Sequence, residues 1–154
     1  PAGAVQPVDA EVERLGIQVK PGLEALLAFI ASEPLRVAVA TSTNADWAAF
    51  TLDRAGLAGR VDVIVTGDQI ARGKPAPDIY LEAARRIGVA PRECVALEDS
   101  EAGIRSIAAA GMTGILVPHW SPSPEAQAAA FRIVASLHEA KDVIASLLVV
   151  PAAR

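Results

Sequence analysis

The sequence predicts an α/β protein with a mainly parallel sheet, and three observations carry that expectation. From residue 35 onward, short β-branched apolar runs alternate with Ala- and Leu-rich segments of helical spacing, joined by polar or glycine-containing turns. The apolar runs are continuous rather than alternating, which suits parallel strands covered on both faces. Hydrophobic residues make up 52% of the chain and aromatic residues only 4%, so the core is expected to be Ala, Val, Ile and Leu packed between helices and strands. With 154 residues, the chain fits one domain of ordinary size.

Taken in order, residues 1–20 read as a linker or the remnant of another element, with Pro1, Gly3 and Pro7 ahead of one short amphipathic piece, "DAEVERLGI". The core is expected over residues 21–154. It begins with a helix, "PGLEALLAFIAS" (21–32), entered through Pro21. "LRVAVAT" (35–41) is the first strand. In the helix after it, Thr43 and Asp46 have capping-box spacing, and the helix runs to Ala55 before Gly56. "VDVIVTG" (61–67) is the second strand. The prolines of "GKPAPD" then fix an extended entry to a helix that Asp78 is placed to cap and that stops at Gly88. "CVALED" (94–99) is the third strand, and the helix opening near Ser100 ends by Gly111. "GILVP" (114–118) and "RIVAS" (132–136) are the fourth and fifth strands.

Several function classes are excluded. The formal net charge is −4 and no stretch is densely basic, so nucleic acid is not an expected partner. The single cysteine, Cys94, rules out an internal disulfide and reads as an inert buried thiol, compatible with a reducing compartment. No apolar run approaches the ~20 residues that span a bilayer, and the first residues lack a signal-peptide pattern. A soluble, cytoplasmic protein with no membrane partner is expected. The chain opens on Pro1 and its one methionine is Met112, so either a leading Met was removed or the chain starts inside a longer one. No Cys/His cluster has zinc spacing, no Ser-His-Asp arrangement can be argued, and neither a Walker loop nor a dinucleotide fingerprint is present.

In open parallel sheets, ligands bind at the carboxyl ends of strands, where helix N-termini aim N–H groups into the same crevice. Polar residues there are the candidates. Glu98 and Asp99 end an apolar strand side by side, and two such carboxylates repel one another unless a cation or strong donors sit between them. A hard divalent metal such as Mg²⁺ fits. The alternative is that Asp99 or Ser100 caps the next helix while Glu98 is solvated at the rim. Lys74, between Gly73 and Pro75, can present a point charge to a phosphate or simply solvate a loop. "ATSTN" offers hydroxyls and N–H groups as a small anion cradle at Thr41, Ser42 and Thr43, or ordinary capping by Thr43. His119 and Trp120 follow the fourth strand and either line the crevice or belong to a plain loop. His138, in the last helix, reads as a surface residue.

Together, "VAVATSTN", "GDQIARGKPAPDIYLEAARRIGV" and "CVALEDSEAGIRSIAAAGM" resemble, in order, the second, third and fourth motifs of the haloacid dehalogenase superfamily. The phosphatases and β-phosphoglucomutase-like members are the branch most resembled, and "LEDS" departs from the dehalogenase form. The resemblance implies a Rossmann-like three-layer sandwich and a Mg²⁺-dependent phosphoryl-transfer enzyme acting on a small phosphorylated metabolite. Thr41 would bind the phosphoryl group with the Ser42 N–H beside it. Lys74 would neutralise charge on nucleophile and phosphoryl group. Asp99 would ligate Mg²⁺, with Glu98 acting directly or through a metal-bound water.

The superfamily's first motif is an Asp-x-Asp whose first aspartate attacks phosphorus, and in this branch a helical cap domain follows it. Neither is recognisable here, unless residues 1–20 are a remnant of the cap domain, so the chain is expected to correspond to the C-terminal two thirds of such an enzyme and to be inactive alone. The first motif's strand would lie between those ending at Thr41 and Asp99. Without it the sheet is expected to split there, unless a missing N-terminal segment or a second copy supplies a strand. A non-catalytic remnant or interaction module, and a sugar phosphate mutase, are the competing functional classes.

Overall fold

A computed structural model describes residues 19–149. The linker or remnant expected over residues 1–20 therefore falls, apart from Val19 and Lys20, outside the described residues. The elements run α1 (Leu23–Ser32), β1 (Ala38–Thr41), α2 (Ala45–Arg54), β2 (Val63–Thr66), a 3-10 turn (Gly67–Gln69), α3 (Asp78–Ile87), a second 3-10 turn (Pro91–Glu93), β3 (Val95–Glu98), α4 (Glu101–Ala109), β4 (Thr113–Leu116), α5 (Pro124–Ala129), β5 (Arg132–Ile133) and α6 (Leu137–Leu148). The glycines expected to end α2, α3 and α4 do so, with Gly56, Gly88 and Gly111 all at positive φ.

Strands are shorter than their apolar runs, for identifiable reasons. The Val37 N–H donates to the Asp62 carboxylate at 2.7 Å rather than to a neighbouring strand, so the first ladder begins at Ala38. In the last run Ser136 accepts from the Glu139 N–H at 3.3 Å and starts α6, leaving a strand of two residues. Two expected caps are corrected. Asn44 rather than Thr43 caps α2, its Oδ1 accepting from the Trp47 N–H at 2.9 Å, because the Thr43 hydroxyl pairs with that of Thr41. Pro77 holds the cap position of α3 without a side-chain bond, and Asp78 instead takes the Arg72 guanidinium.

All pairings are parallel, as expected. Ala38 lies opposite Val63 and Thr41 opposite Thr66, while β3 pairs with β4 and β4 with β5. The strands form two sheets, β1–β2 and β3–β4–β5, with no ladder between β1 and β3 among the described residues. Adjacent residues of β4 show the layering. Leu116 joins Val65, Ile79, Tyr80, Ile104 and Ile107 in one apolar cluster, and Ile115 joins Leu26, Val134, Ala140 and Ile144 in another. Helices α3 and α4 thus cover one face and α1 with α6 the other, the three-layer arrangement in which strand side chains alternate between two cores.

Burial is uneven across the sheets. Residues Gly114 to Leu116 of β4 are buried, whereas every residue of β1 is half-buried and Val95 of β3 is 36% exposed. The expectation that the strands are covered throughout holds for Gly114 to Leu116 of β4 and fails for the other strands: Ile64 of β2 and both residues of β5 are exposed as well. No helix among the described residues is long and apolar enough to cross a membrane.

Candidate active site

The carboxyl end of β1 turns into α2 through Thr41, Ser42, Thr43 and Asn44. The Thr41 and Thr43 hydroxyls lie 3.0 Å apart, and the Thr43 N–H donates to Thr41 Oγ1 at 3.3 Å. Ser42 is exposed. The helix N-terminus is less open than the sequence implies, since the Trp47 N–H goes to Asn44 and the Ala45 N–H to Asp68 at 3.5 Å. The Thr66 hydroxyl first, and then backbone N–H groups, hold the Asp68 carboxyl below its ordinary range. The turn is clamped from β2: the Gly67 N–H donates to the Thr43 carbonyl at 2.8 Å. A β-carbon on Gly67 would lie 2.9 Å from the Ser42 carbonyl carbon, so glycine is what allows this approach.

Lys74 is held opposite. Its ammonium donates to the Ala40 carbonyl at 3.4 Å and to Glu98 Oε1, bridging the ends of β1 and β3. Both side chains are largely out of water, with Lys74 11% and Glu98 8% exposed. Tyr80, on the buried face of α3, donates its hydroxyl to the same Oε1 at 2.8 Å. The loop carrying Lys74 is pinned by buried Ser106 of α4, which donates to the Ala76 carbonyl at 2.6 Å.

The other oxygen of Glu98 sits at the start of α4. Oε2 accepts from the Asp99 N–H, the Ser100 N–H and the Ser100 hydroxyl at 2.9–3.0 Å, where the helix dipole favours negative charge. Burial raises the Glu98 pKa, but the Lys74 charge and hydrogen bond, with the Ser100 N–H and the Tyr80 hydroxyl, outweigh it and hold the carboxyl below its ordinary value. Burial above all, then the Glu98 charge, pushes the Tyr80 phenol far up, so it stays a donor. Glu98 is therefore not a solvated rim residue, and Ser100 is the cap of α4, accepting from the Gly103 N–H at 3.0 Å.

Asp99 is exposed, and its carboxylate makes no hydrogen bond among the described residues. Its carbonyl accepts from Trp120 Nε1 at 3.0 Å, which brings the loop after β4 to the site. His119 in that loop lies 2.7 Å from the Lys20 ammonium through Nε2. His138 is exposed, as expected. Cys94 is half-buried rather than buried, and burial, then Glu93, pushes its thiol up. A shallow hollow of about 400 Å³ lies elsewhere, against Ile70, Arg72, Asp78, Leu81 and Arg85.

The sequence profile of the haloacid dehalogenase-like hydrolases matches residues 3–111, which takes in the segments carrying Thr41, Lys74, Glu98 and Asp99. The chain belongs to this family. It is 38% identical over 99 residues to the phosphorylated carbohydrates phosphatase of Thermotoga maritima, covering 64% of this chain and 46% of the relative. It is 37% identical over 102 residues to β-phosphoglucomutase of Bacillus subtilis, covering 66% of this chain and 44% of that one. The crystal structure of CbbY from Rhodobacter sphaeroides in complex with phosphate superposes with a TM-score of 0.76 at 34% identity, over 85% of this chain and 60% of that one. This haloacid dehalogenase-like chain thus spans about half the length of the curated relatives it matches, and falls in the branch of phosphatases and β-phosphoglucomutases.

Of the residues singled out from sequence, Lys74, Glu98 and the end of β1 are brought together directly, and the exposed Asp99 follows Glu98 at the end of β3. Sequence reasoning missed Tyr80, Gly67, Gly103 and Ser106. Tyr80 carried one available signal: six positions after Lys74, it is the only tyrosine of the chain.

Proposed function

We propose that this chain forms part of a Mg²⁺-dependent phosphatase acting on small phosphorylated metabolites. The single observation that carries this function is the Lys74 ammonium at the ends of β1 and β3, hydrogen-bonded to the backbone beside Thr41 and paired with the carboxylate beside Asp99. Phosphoryl transfer asks a protein mainly for positioning and charge stabilisation. Thr41 Oγ1 and the Ser42 N–H bind phosphoryl oxygens, and Lys74 offsets the charge gathered there.

The donor set fits Mg²⁺ in part. Asp99 is an exposed carboxylate, a hard oxygen ligand of the kind Mg²⁺ takes alongside waters and substrate phosphate. No group of three His, Cys, Asp or Glu placed to hold a metal occurs among the described residues, so Asp99 would share the ion with water, phosphate and a carboxylate from elsewhere. Glu98 would reach it through a metal-bound water, since direct ligation means giving up donors it already has. When bound, the ion neutralises charge on the phosphoryl oxygens.

The nucleophilic aspartate comes from a segment outside residues 19–149 that adds a strand between β1 and β3. Supporting this are the absence of any Asp-x-Asp from the sequence and the two separate sheets, with no ladder between β1 and β3 among the described residues. Unpaired strand edges beside apolar surface invite a partner strand. The test is to measure mass in solution, then add a peptide carrying an apolar strand that ends in Asp-x-Asp and follow thermal unfolding. The melting point is expected to rise with peptide. Dimers that ignore the peptide point to a second copy as the strand donor, and a cooperative monomer that ignores it contradicts the completed sheet.

A sugar phosphate mutase is the second reading, favoured by the comparable identity to Bacillus subtilis β-phosphoglucomutase. Release of inorganic phosphate, rather than an isomeric sugar phosphate, separates the two.

A further inference from the structure

Tyr80 touches both members of the buried ion pair. Its hydroxyl donates to Glu98 Oε1 at 2.8 Å, the oxygen that also takes Lys74. Its ring centroid is 5.0 Å from the Lys74 ammonium, within the range of a cation–π contact. The residue is 6% exposed and belongs to the cluster containing Ile79, Ala83 and Ile104. Packing alone would be satisfied by phenylalanine. A buried hydroxyl costs free energy unless it is hydrogen-bonded, and this one goes to the carboxylate that anchors the lysine.

The Lys74 ammonium has three N–H donors. One goes to Glu98 and one to the Ala40 carbonyl, with the Tyr80 ring packed beside the ammonium. We propose that Tyr80 is a positioning residue for Lys74: its hydroxyl fixes the anchoring oxygen and its ring limits the ammonium's swing, so that the remaining N–H is kept for a phosphoryl oxygen. The positioning concerns this chain's own side chains, and its use for phosphate rests on the function proposed above. Tyr80 itself touches no substrate.

The experiment uses the chain as it is. Lysine ammonium protons give a ¹H–¹⁵N resonance only when hydrogen bonds order them and slow their exchange with water, and the Lys74 signal is assigned by its loss in Lys74→Met. Wild type is expected to show it. Tyr80→Phe, which keeps the ring, is expected to broaden it and to weaken binding of inorganic phosphate about tenfold, the scale of one hydrogen bond to a charged group. Tyr80→Leu is expected to abolish the resonance. Thermal unfolding of each variant reports on the fold separately, and if Tyr80→Leu does not fold, Tyr80→Phe decides. A Lys74 resonance absent from wild type, or unchanged in the folded variants, overturns the positioning role. A wild-type chain that shows an ordered Lys74 resonance, sensitive to both Tyr80 variants, but takes up no phosphate leaves the positioning role standing and removes the phosphate reading.

Discussion

Gly103 makes room for Glu98. A β-carbon built on Gly103, in the first turn of α4, would collide with the Glu98 carboxylate, so the strand-end acid reaches the helix N-terminus only because that residue is glycine. Gly to Ala in an open helix interior stabilises by about 1 kcal/mol. Here the sign is reversed: Gly103→Ala is expected to destabilise by about 1–3 kcal/mol, because the carboxylate must leave its donors. Urea unfolding measures it, and a stabilised variant would show that Glu98 does not depend on this niche.

Lys74→Met removes the charge facing a carboxylate that is nearly out of water. Breaking a buried pair from one side costs about 3–5 kcal/mol. The double variant Lys74→Met/Glu98→Gln is expected to recover part of that loss, since it leaves no uncompensated charge. Denaturant unfolding of the four proteins gives the coupling. Simple additivity would mean that the two groups do not interact.

The depressed Glu98 pKa fixes the sign of a pH effect. An acid whose folded pKa lies below its unfolded value, here 4.5, adds stability that is present above the unfolded value and lost as pH falls through the folded one. In metal-free buffer the stability advantage of wild type over Glu98→Gln is therefore expected to be full at neutral pH and to shrink below about 4.5. An advantage that grows on acidification would contradict the geometry around Glu98.

How far the sequence could be read follows from which interactions are local. Parallel βαβ order was legible because continuous apolar runs and glycine stops are written in single segments, and Gly56, Gly88 and Gly111 end helices as read. Asn44 displaced Thr43 as a cap because the Thr43 hydroxyl has a nearer partner in Thr41, a choice that composition does not reveal. Lys74 and Glu98 were each recognised, yet their pairing was not, since 24 residues separate them and only the packing of α3 and α4 on the sheets brings them together. Tyr80, Gly67 and Gly103 were missed for the same reason: their roles lie in what they touch across the fold. Val95 and the residues of β1 were expected to be covered because their runs are apolar, but an apolar run does not reveal how far the helices reach over each strand.

Asp99 offers one free carboxylate, so Mg²⁺ binding to the chain alone is expected to be weak, with waters filling the remaining positions. Calorimetric titration should show that binding lost in Asp99→Ala. Tight binding that survives the substitution would move the metal site elsewhere.

Turnover decides whether Thr41, Lys74 and Asp99 serve phosphoryl transfer. The chain is joined at its N-terminus to an apolar strand ending in Asp-x-Asp, and hydrolysis of p-nitrophenyl phosphate is followed with and without Mg²⁺, beside the unextended chain. The unextended chain is expected to give no activity above background. The extended one is expected to release phosphate in a Mg²⁺-dependent manner, with Lys74→Ala and Asp99→Ala each lowering kcat at least about a hundredfold, as removal of a charge-stabilising group does. Turnover that persists in both variants, or a folded extended chain with no turnover at all, would contradict the assignment of phosphoryl transfer to this crevice.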